Sequence, residues 1–521
     1  MTRLAQYTGQ LFNELELETG LATGYQENGA LVVTADQHRF TELKRSASTA
    51  RCFDLEVEVL TPPEAGELWP LLETKDLVGA VFLPTEGQTN ATDTTLALAK
   101  GARQRGVGIF EQTEAFKVRE TRGRVNGVLT NKGLIDCEYV VNCTGMWARE
   151  FGKRNQLNVP LHAVEHMYVV TEPIAEIGPN LPTLRDHNQC IYYRVDARQM
   201  LIGISEPNAK VWGINGIPKD FAFDQLPNDW EHFEPYMQNA VKRVPRLADA
   251  GIKLFLSGPE SMTPDTRYLL GETPGLRGHF VAAGFSGVGV GSSGGAGKAL
   301  AEWIVAGKPT MDLWAVDIRR MMPFQSSQRY LIDRVKESNG LLYAMHWPFR
   351  QHETARNIRI SPIHHELQKA GACFGEVAGW ERPNWYSATT QKPKYVYSYD
   401  KQNWFFESRR EHLAVRTNIG FHDLTSESKF EISGAGAAHF LQRLCTKKFT
   451  KKDVVIRTAW LTKYGGVENS VSILKYSDEC YLVLSAPEHA VSDWEYLKGD
   501  VSVDDTVYIT DVTSKYAQVA L

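Results

Sequence analysis

RGHFVAAGFSGVGVGSSGGAGKALAEWIVAG, residues 277–307, is the stretch from which the fold is interpreted. Its apolar run at 280–283 predicts a short buried strand, and a dense series of glycines separates that strand from a helical pattern. Gly307, followed by Pro309, is typical of a helix end. Glycines between a strand and a helix N-terminus let the backbone approach a flat or anionic ligand, which the helix dipole also favours. We therefore predict a cofactor-binding loop, with a simple packing turn as the alternative.

The loop lacks the context of two common nucleotide-binding motifs. Residues 289–294 spell GxGxxG, but a dinucleotide fold also needs a second strand that leads to an acidic residue about 20 positions on. Asp312 has that spacing, yet it follows Lys-Pro-Thr rather than a strand. A P-loop is excluded because Ala299 follows Lys298, where Ser or Thr is required. The loop is therefore expected to close on a cofactor rather than to start a nucleotide-binding fold.

The composition limits the class of protein. A chain of 521 residues suggests roughly three or four domains of about 150 residues each. The net charge of −5, without a long basic run, argues against a nucleic-acid partner. No apolar run approaches the roughly 18 residues of a membrane span, and the first residues read as an amphipathic helix instead of a signal peptide. The seven cysteines are scattered without a CxxC, which favours a reducing compartment, no metal site and no secretion.

A second strand–glycine–helix unit lies at 139–148, in the sequence YVVNCTGMWA. Two such units suggest one sheet that is interrupted by an inserted domain, and the insertion, at about 160–270, carries strand patterns. Near the N-terminus, an Asn-Gly pair predicts a hairpin within 23–35. From residue 404 onward, new strand alternation with intervening helices predicts a separate α+β domain. The fold class is therefore a combination of α/β and α+β.

Six stretches of the sequence carry a family resemblance, and together they extend over nearly the whole chain. They are LALAKGAR at 96–103, VNCTGMWAR at 141–149, EHMYVVTEP at 165–173, GPESMTPD at 258–265, the glycine loop, and GWERPNW at 379–385. In these stretches the chain resembles the dimethylglycine dehydrogenase and sarcosine dehydrogenase family. Members of that family are flavoproteins that combine an amine-oxidase module, a linker, and a folate-binding module similar to the aminomethyltransferase of glycine cleavage.

The resemblance implies an incomplete FAD-binding doubly wound domain over 1–308, in which an inserted antiparallel sheet, at about 160–270, binds the substrate. It further implies a linker domain over 309–385 and a partial aminomethyltransferase-like α+β domain over 386–521. Two features of the family are not found in this sequence. The family's GxGxxG after an initial strand is absent, and the position of the acidic residue in the folate module is occupied by Ser470.

The implied reaction is the FAD-dependent oxidative demethylation of an N-methyl amino acid of the sarcosine or dimethylglycine type. A hydride passes from the methyl carbon to the flavin, and the one-carbon unit is either hydrolysed off or passed to tetrahydrofolate. The implied location is the mitochondrial matrix in a eukaryote or the cytoplasm in a bacterium, and the electron acceptor is left open. Two alternatives stay open: a non-catalytic flavoprotein resembling the regulatory subunit of pyruvate dehydrogenase phosphatase, and an inactive fragment.

The resemblance also implies which residues form the site. His166 and Tyr192 are expected to be catalytic, His166 by tuning or accepting the amine proton and Tyr192 by hydrogen-bonding the substrate. Arg194 is inferred from chemistry instead, because it shares a strand face with Tyr192 and can pair with a substrate carboxylate. The residues expected to contact FAD are Ala115, Thr144, Gly145, Trp147, Gly284, Phe285, Ser286, Gly287, Val288, Gly289 and Gly291.

Overall fold

The computed structural model describes residues 1–178, 180–390, 392–449, 454–462, 464–501 and 506–521. These residues divide into two units. The first unit comprises 1–318 and 325–348, and the second comprises 319–324 and 349–521. Each unit contains its own sheets and its own hydrophobic core.

The first unit alternates helices and strands. In chain order they are α1 Thr2–Thr19, β1 Ala30–Thr34, α2 Gln37–Arg51, β2 Glu58–Leu60, α3 Pro62–Leu68, β3 Gly79–Leu83, α4 Ala91–Gln104, β4 Ala115–Thr121, β5 Arg124–Thr130, β6 Gly133–Ile135, β7 Val140–Asn142, α5 Ala148–Arg154, β8 His162–Thr171, β9 Thr183–Asp186, β10 Ile191–Asp196, β11 Gln199–Ile204, α6 Trp230–Arg243, β12 Ile252–Met262, β13 Leu269–Glu272, β14 His279–Ala283, α7 Gly289–Ala306 and α8 Gln328–Leu341.

The largest sheet of the first unit has the strand order β12-β8-β11-β10-β9-β1-β3-β2. Strands β8 to β12 pair antiparallel, as expected for the inserted sheet. N-terminal strands extend that sheet, because β1 pairs in parallel with β9 and antiparallel with β3. The predicted hairpin within 23–35 is therefore wrong: β1 finds its partners at distant positions, and Gln26 bridges Gln88 instead of a local strand.

The two faces of this sheet differ in character, because successive side chains of a strand point to opposite sides. One face packs against α3 and α6 through buried apolar residues. Among them are Met167, Val169, Leu184, Tyr193, Ile202 and Phe255. The opposite face carries His166, Tyr192 and Arg194, which are partly exposed. We call this second side of the sheet the site face.

A second sheet has the order β13-β14-β7, and β7 and β14 are parallel neighbours. Val281 lies beside Asn142, so the two strands end at the same edge and both predicted glycine turns follow from that edge. Helix α7, which follows the glycine loop, packs closely on α1. The Gly295 N–H donates a hydrogen bond to Thr8 Oγ1 at 3.0 Å, and a Cβ at 295 would lie 2.2 Å from the Leu4 carbonyl oxygen.

The second unit has an α+β organisation. Its elements are α9 His364–Lys369, β15 Ala372–Val377, β16 Trp380–Tyr386, α10 Phe405–Thr417, β17 His422–Asp423, β18 Ser428–Ser433, α11 Ala437–Leu444, β19 Val455–Leu461, β20 Val467–Ser477, β21 Cys480–Ser485, α12 Ala490–Asp500, β22 Tyr508–Asp511 and β23 Val519–Ala520. Strands in the order β19-β20-β21-β18-β22 form an antiparallel sheet, and α11 and α12 contribute to its apolar core.

A buried polar cluster in the second unit centres on Asp493 of α12, which is 1% exposed. The carboxylate accepts hydrogen bonds from Ser485 Oγ and, at 2.9 Å, from Asn469 Nδ2. Burial raises the pKa of the Asp493 carboxyl to about 6, against the opposing effect of these donors. The folded chain therefore binds a proton at a pH where the unfolded chain has released it.

We expect Asp493 to make the second unit more stable as the pH falls from 7 toward 4. Its stabilising contribution is complete below the unfolded pKa near 4 and is lost as the pH rises through about 6. The free energy of unfolding changes by roughly 3 kcal/mol at most over this range. Asp493→Asn should remove this dependence and stabilise the unit at pH 8. Urea unfolding at a series of pH values measures both effects, and equal pH slopes for the two proteins would contradict the assignment.

Candidate active site

His166 and Tyr192 meet on the site face although their strands are not neighbours. His166 is on β8 and Tyr192 is on β10, with β11 between them. His166 Nε2 lies 3.0 Å from Tyr192 Oη, and the two rings are parallel within 2°. Gly203 of β11 makes this contact possible, since a Cβ at that position would lie 2.0 Å from Cζ of Tyr192. The glycine lets the Tyr192 ring lie across β11 and reach His166.

Gly203→Ala is expected to displace Tyr192 and to separate it from His166. Because a misplacement of about 1 Å can cost roughly a hundredfold in rate, any reaction that uses the pair should slow by up to that factor. Gly258→Ala is the matched control. Gly258 lies on β12 directly opposite His166 of β8, and its added Cβ would meet only Leu256 Cδ2, at 3.8 Å. The rate of amine-dependent flavin reduction, the reaction that the resemblance implies, measures the effect, and equal rates in the two variants would contradict it.

Glu260 of β12 completes the arrangement. Its Oε2 lies 3.7 Å from His166 Nδ1, within ion-pair range. Its Oε1 would lie 3.7 Å from a Cβ at Gly287, so the same carboxylate also borders the glycine loop. The sequence contained Glu260 within the GPESMTPD stretch, but no local signal distinguished it as a site residue.

Tyr192 is held in its neutral form. Burial raises the pKa of its phenol, the neighbouring Tyr343 and the Glu260 carboxylate raise it further, and Arg194 has the opposite effect. Tyr343 comes just after α8, and burial raises the pKa of its own phenol to about 12. The Tyr192 hydroxyl therefore serves as a hydrogen-bond donor and acceptor, and its proton leaves only when a base receives it. Tyr343 was not predicted from the sequence.

Arg194 lies on the site face as predicted and lines a cavity of about 270 Å³. The strand pairing of β12 is irregular between Ile252 and Leu254, which marks Lys253 as a bulge residue, and bulges redirect side chains. Lys253 lines the same cavity, and Asp196 Oδ2 lies 4.0 Å from Arg194 Nη2. The other lining residues are Val170, Gln199, Leu201 and Leu254. The two cations outnumber the carboxylate, so the cavity suits an anionic group.

The structure brings both predicted turns to β12. The helical turn Gly145–Trp147, which begins directly after Thr144, lies beside β12. The Ser286 N–H donates to the Ser261 carbonyl at 3.3 Å, and Ser286 Oγ accepts from the Thr263 N–H at 3.2 Å. Glu260 directly precedes Ser261 on β12, and its carboxylate faces His166. The glycine loop, the Thr144 turn and the His166–Tyr192 pair therefore surround one strand.

The shape of the two turns fits a flat ring system with an anionic tail. Gly145, Gly284 and Gly287 have positive φ, and a Cβ at Gly145 would meet nothing within 4 Å. Helix α7 begins at Gly289 without a side-chain cap, so its first N–H groups can meet an anion. Exposed apolar side chains border these turns, as a stacked ring would require: Trp147, Val288 and Val290.

Three predicted cofactor residues are placed differently from one another. Phe285 stacks on Tyr268 with ring centroids 4.6 Å apart, so it contributes packing beneath the loop. Gly291 lies in the first turn of α7, with open space where a Cβ would be. Ala115 starts β4 in the sheet β4-β5-β6, which is separate from the sheet β13-β14-β7 that carries the two turns.

Family comparisons agree with this architecture. The sequence matches the FAD dependent oxidoreductase family over residues 1–303, the FAD dependent oxidoreductase central domain over 306–361, and the GCVT N-terminal domain over 363–521. The first match covers more than half of the chain. The chain therefore belongs to the FAD dependent oxidoreductase family.

Curated relatives confirm the resemblance that the sequence motifs indicated. The chain is 38% identical to 4-methylaminobutanoate oxidase (formaldehyde-forming) of Paenarthrobacter nicotinovorans over 96% of its length. It is 35% identical to the mitochondrial pyruvate dehydrogenase phosphatase regulatory subunit of Mus musculus over 100% of its length, and 34% identical to the mitochondrial sarcosine dehydrogenase of Homo sapiens over 92%. It spans 60%, 60% and 54% of these three proteins, respectively.

Solved structures share the fold of the first unit. L-proline dehydrogenase from P. horikoshii matches with a TM-score of 0.53 and 26% identity, over 60% of this chain and 81% of that protein. Glycine oxidase from Geobacillus kaustophilus matches with a TM-score of 0.53 and 27% identity, over 62% and 82%. Among the residues that the structure describes, no helix combines the length and apolar character needed to cross a membrane.

Proposed function

We propose that this chain binds FAD and oxidatively demethylates an N-methyl amino acid. The observation that carries the proposal is the His166–Tyr192 pair, placed with Glu260 beside the glycine loop. Relatives named as oxidases or dehydrogenases of such amines support the substrate class. The proposed domain boundaries are those expected from the sequence, 1–308, 309–385 and 386–521.

Bound FAD supplies the acceptor for the hydride that leaves the methyl carbon. The residues of this chain hold the amine and remove its proton, since an ammonium cannot release a hydride from its methyl group. Tyr192 Oη contacts the amine, and His166 Nε2, at 3.0 Å from that hydroxyl, is the base that receives the proton. Arg194 binds the substrate carboxylate with the support of Lys253.

We further propose that the oxidised methyl carbon is released as formaldehyde by hydrolysis rather than transferred to tetrahydrofolate. The position expected to be acidic for folate chemistry is Ser470, which is exposed on β20. Glu468, the acidic residue near it, lies 3.6 Å from Arg319 and is engaged in an ion pair. The name of one relative, a formaldehyde-forming oxidase, supports this outcome.

Arg194→Gln is expected to raise KM for carboxylate-bearing substrates about tenfold or more, with a smaller effect on kcat. The reason is that a charged hydrogen bond contributes roughly 1.5–3 kcal/mol when both partners are present. Arg198→Gln is the control, because Arg198 lies exposed in the turn between β10 and β11. Steady-state kinetics measures the change, and an unchanged KM in Arg194→Gln would remove Arg194 from the substrate site.

A second candidate function is that of a non-catalytic flavoprotein. It is favoured by the match to the phosphatase regulatory subunit, which extends over the entire chain. One experiment separates the two. The purified chain is loaded with FAD and mixed anaerobically with 4-methylaminobutanoate, sarcosine and dimethylglycine in turn. Bleaching of the flavin band by one of these amines supports the proposed oxidation. Bound flavin that no amine bleaches supports the second candidate, and failure to bind FAD contradicts both.

A further inference from the structure

Glu260 occupies a position between two functional parts of the first unit. It is on β12, one residue before Ser261, whose carbonyl holds the glycine loop. Its side chain is 27% exposed and that of His166 is 23% exposed, so water screens their interaction only in part.

The ring of a neutral histidine carries its proton on one nitrogen, and the surroundings decide which one. A carboxylate attracts an N–H dipole, so Glu260 favours a proton on the nearer nitrogen, Nδ1. At 3.7 Å the contact is longer than a hydrogen bond, and the effect is electrostatic or passes through one water. With Nδ1 protonated, Nε2 keeps its lone pair and can accept a proton from Tyr192 Oη, 3.0 Å away.

We propose that Glu260 is a positioning residue that holds His166 in the Nδ1–H tautomer, so that Tyr192 and His166 form a proton relay directed away from the substrate. This inference rests on the proposed amine oxidation. In the relay, an N–H proton of the substrate ammonium moves to Tyr192 Oη while the phenolic proton moves to His166 Nε2. The amine gains a free electron pair, and the resulting imidazolium is stabilised by the Glu260 carboxylate.

The surroundings of the relay are consistent with this direction. The pKa of the Tyr192 phenol is influenced by Tyr168 on β8, by Arg194 on β10 and by Tyr343 in the segment after α8. Glu260 also acts on the Tyr192 phenol, and its carboxylate lies 3.7 Å from His166 Nδ1. A free imidazole side chain in water carries its proton mainly on Nε2. Without Glu260, His166 would do the same, and its Nε2–H would donate toward Tyr192 and block the transfer.

The test is nitrogen-15 NMR of the histidine rings in the full chain, without substrate. The His166 signals are assigned by their loss in His166→Gln. We expect Nδ1 to be the protonated nitrogen in the unmodified chain and Nε2 to become protonated in Glu260→Gln. Glu165→Gln is the control, since Glu165 points to the opposite face of β8. A protonated Nε2 in the unmodified chain, or no change in Glu260→Gln, would overturn the proposal.

A second readout separates this inference from the proposed function. If the chain oxidises N-methyl amines, Glu260→Gln should lower kcat at least about tenfold, and Glu260→Asp should restore part of the rate. The tautomer measurement needs neither FAD nor substrate, so it can succeed where oxidation fails. A changed tautomer without amine oxidation would leave the Glu260 assignment intact and contradict the proposed reaction.

Discussion

Replacing His166 by glutamine is expected to slow amine-dependent flavin reduction by about 10²–10⁴-fold, the usual contribution of a positioned general base. Glutamine keeps the volume and a polar end but cannot accept the amine proton that reaches Tyr192 Oη. Its removal also frees Tyr192 from the 3.0 Å contact that fixes its orientation. Anaerobic stopped-flow absorbance measures the rate of flavin bleaching directly.

His38→Gln is the control for this substitution. His38 is exposed on α2, where its ring contacts Trp347 edge-on. It should bleach flavin at the rate of the unmodified chain. A His166→Gln protein that retains more than about a tenth of that rate would show that a different group takes the proton.

Arg243→Ala is expected to destabilise the first unit by about 3–5 kcal/mol, because it leaves a buried carboxylate without a partner. Arg243 Nε donates to Asp186 at 2.8 Å, and its two Nη atoms donate to Asp76 at 2.7 and 3.0 Å. Asp186 is 0% exposed, and burial raises the pKa of its carboxyl while Arg243 lowers it. Urea unfolding followed by circular dichroism reports the loss.

Arg246→Ala provides the comparison. Arg246 is near Arg243 in sequence and forms ion pairs with Glu176 and Asp249 at 2.9 Å, but these groups are largely exposed. Exposed pairs contribute roughly 0–1 kcal/mol, so its transition should move little. If both variants unfold at the same urea concentration, the buried network around Asp186 does not hold the sheet to α6.

The local elements of the fold were predictable where the signal is short-range. The strand–glycine–helix units at 139–148 and 277–307 form as predicted because apolar runs, glycines and helix ends each act within a few residues. The hairpin near the N-terminus failed for the opposite reason. The pairing of β1 with β9 joins residues about 150 positions apart, and turn chemistry cannot report such a contact.

The candidate site shows the same limit. His166, Tyr192 and Arg194 were identified by resemblance and by strand alternation, which places alternate residues on one face. Gly203 and Glu260 enter the site through neighbouring strands, and Tyr343 enters through the segment after α8. Their roles depend on strand order and on the absence of a side chain. A local sequence pattern predicts neither of these two features.

We propose that the turns after β7 and β14 and the site face around β12 form one flavin site. Amide hydrogen–deuterium exchange of the chain with and without FAD tests it most directly. We expect slower exchange on FAD addition in the segments 141–147, 258–262 and 284–291. Binding of FAD with unchanged exchange in these three segments, or with protection confined to other parts of the chain, would contradict it.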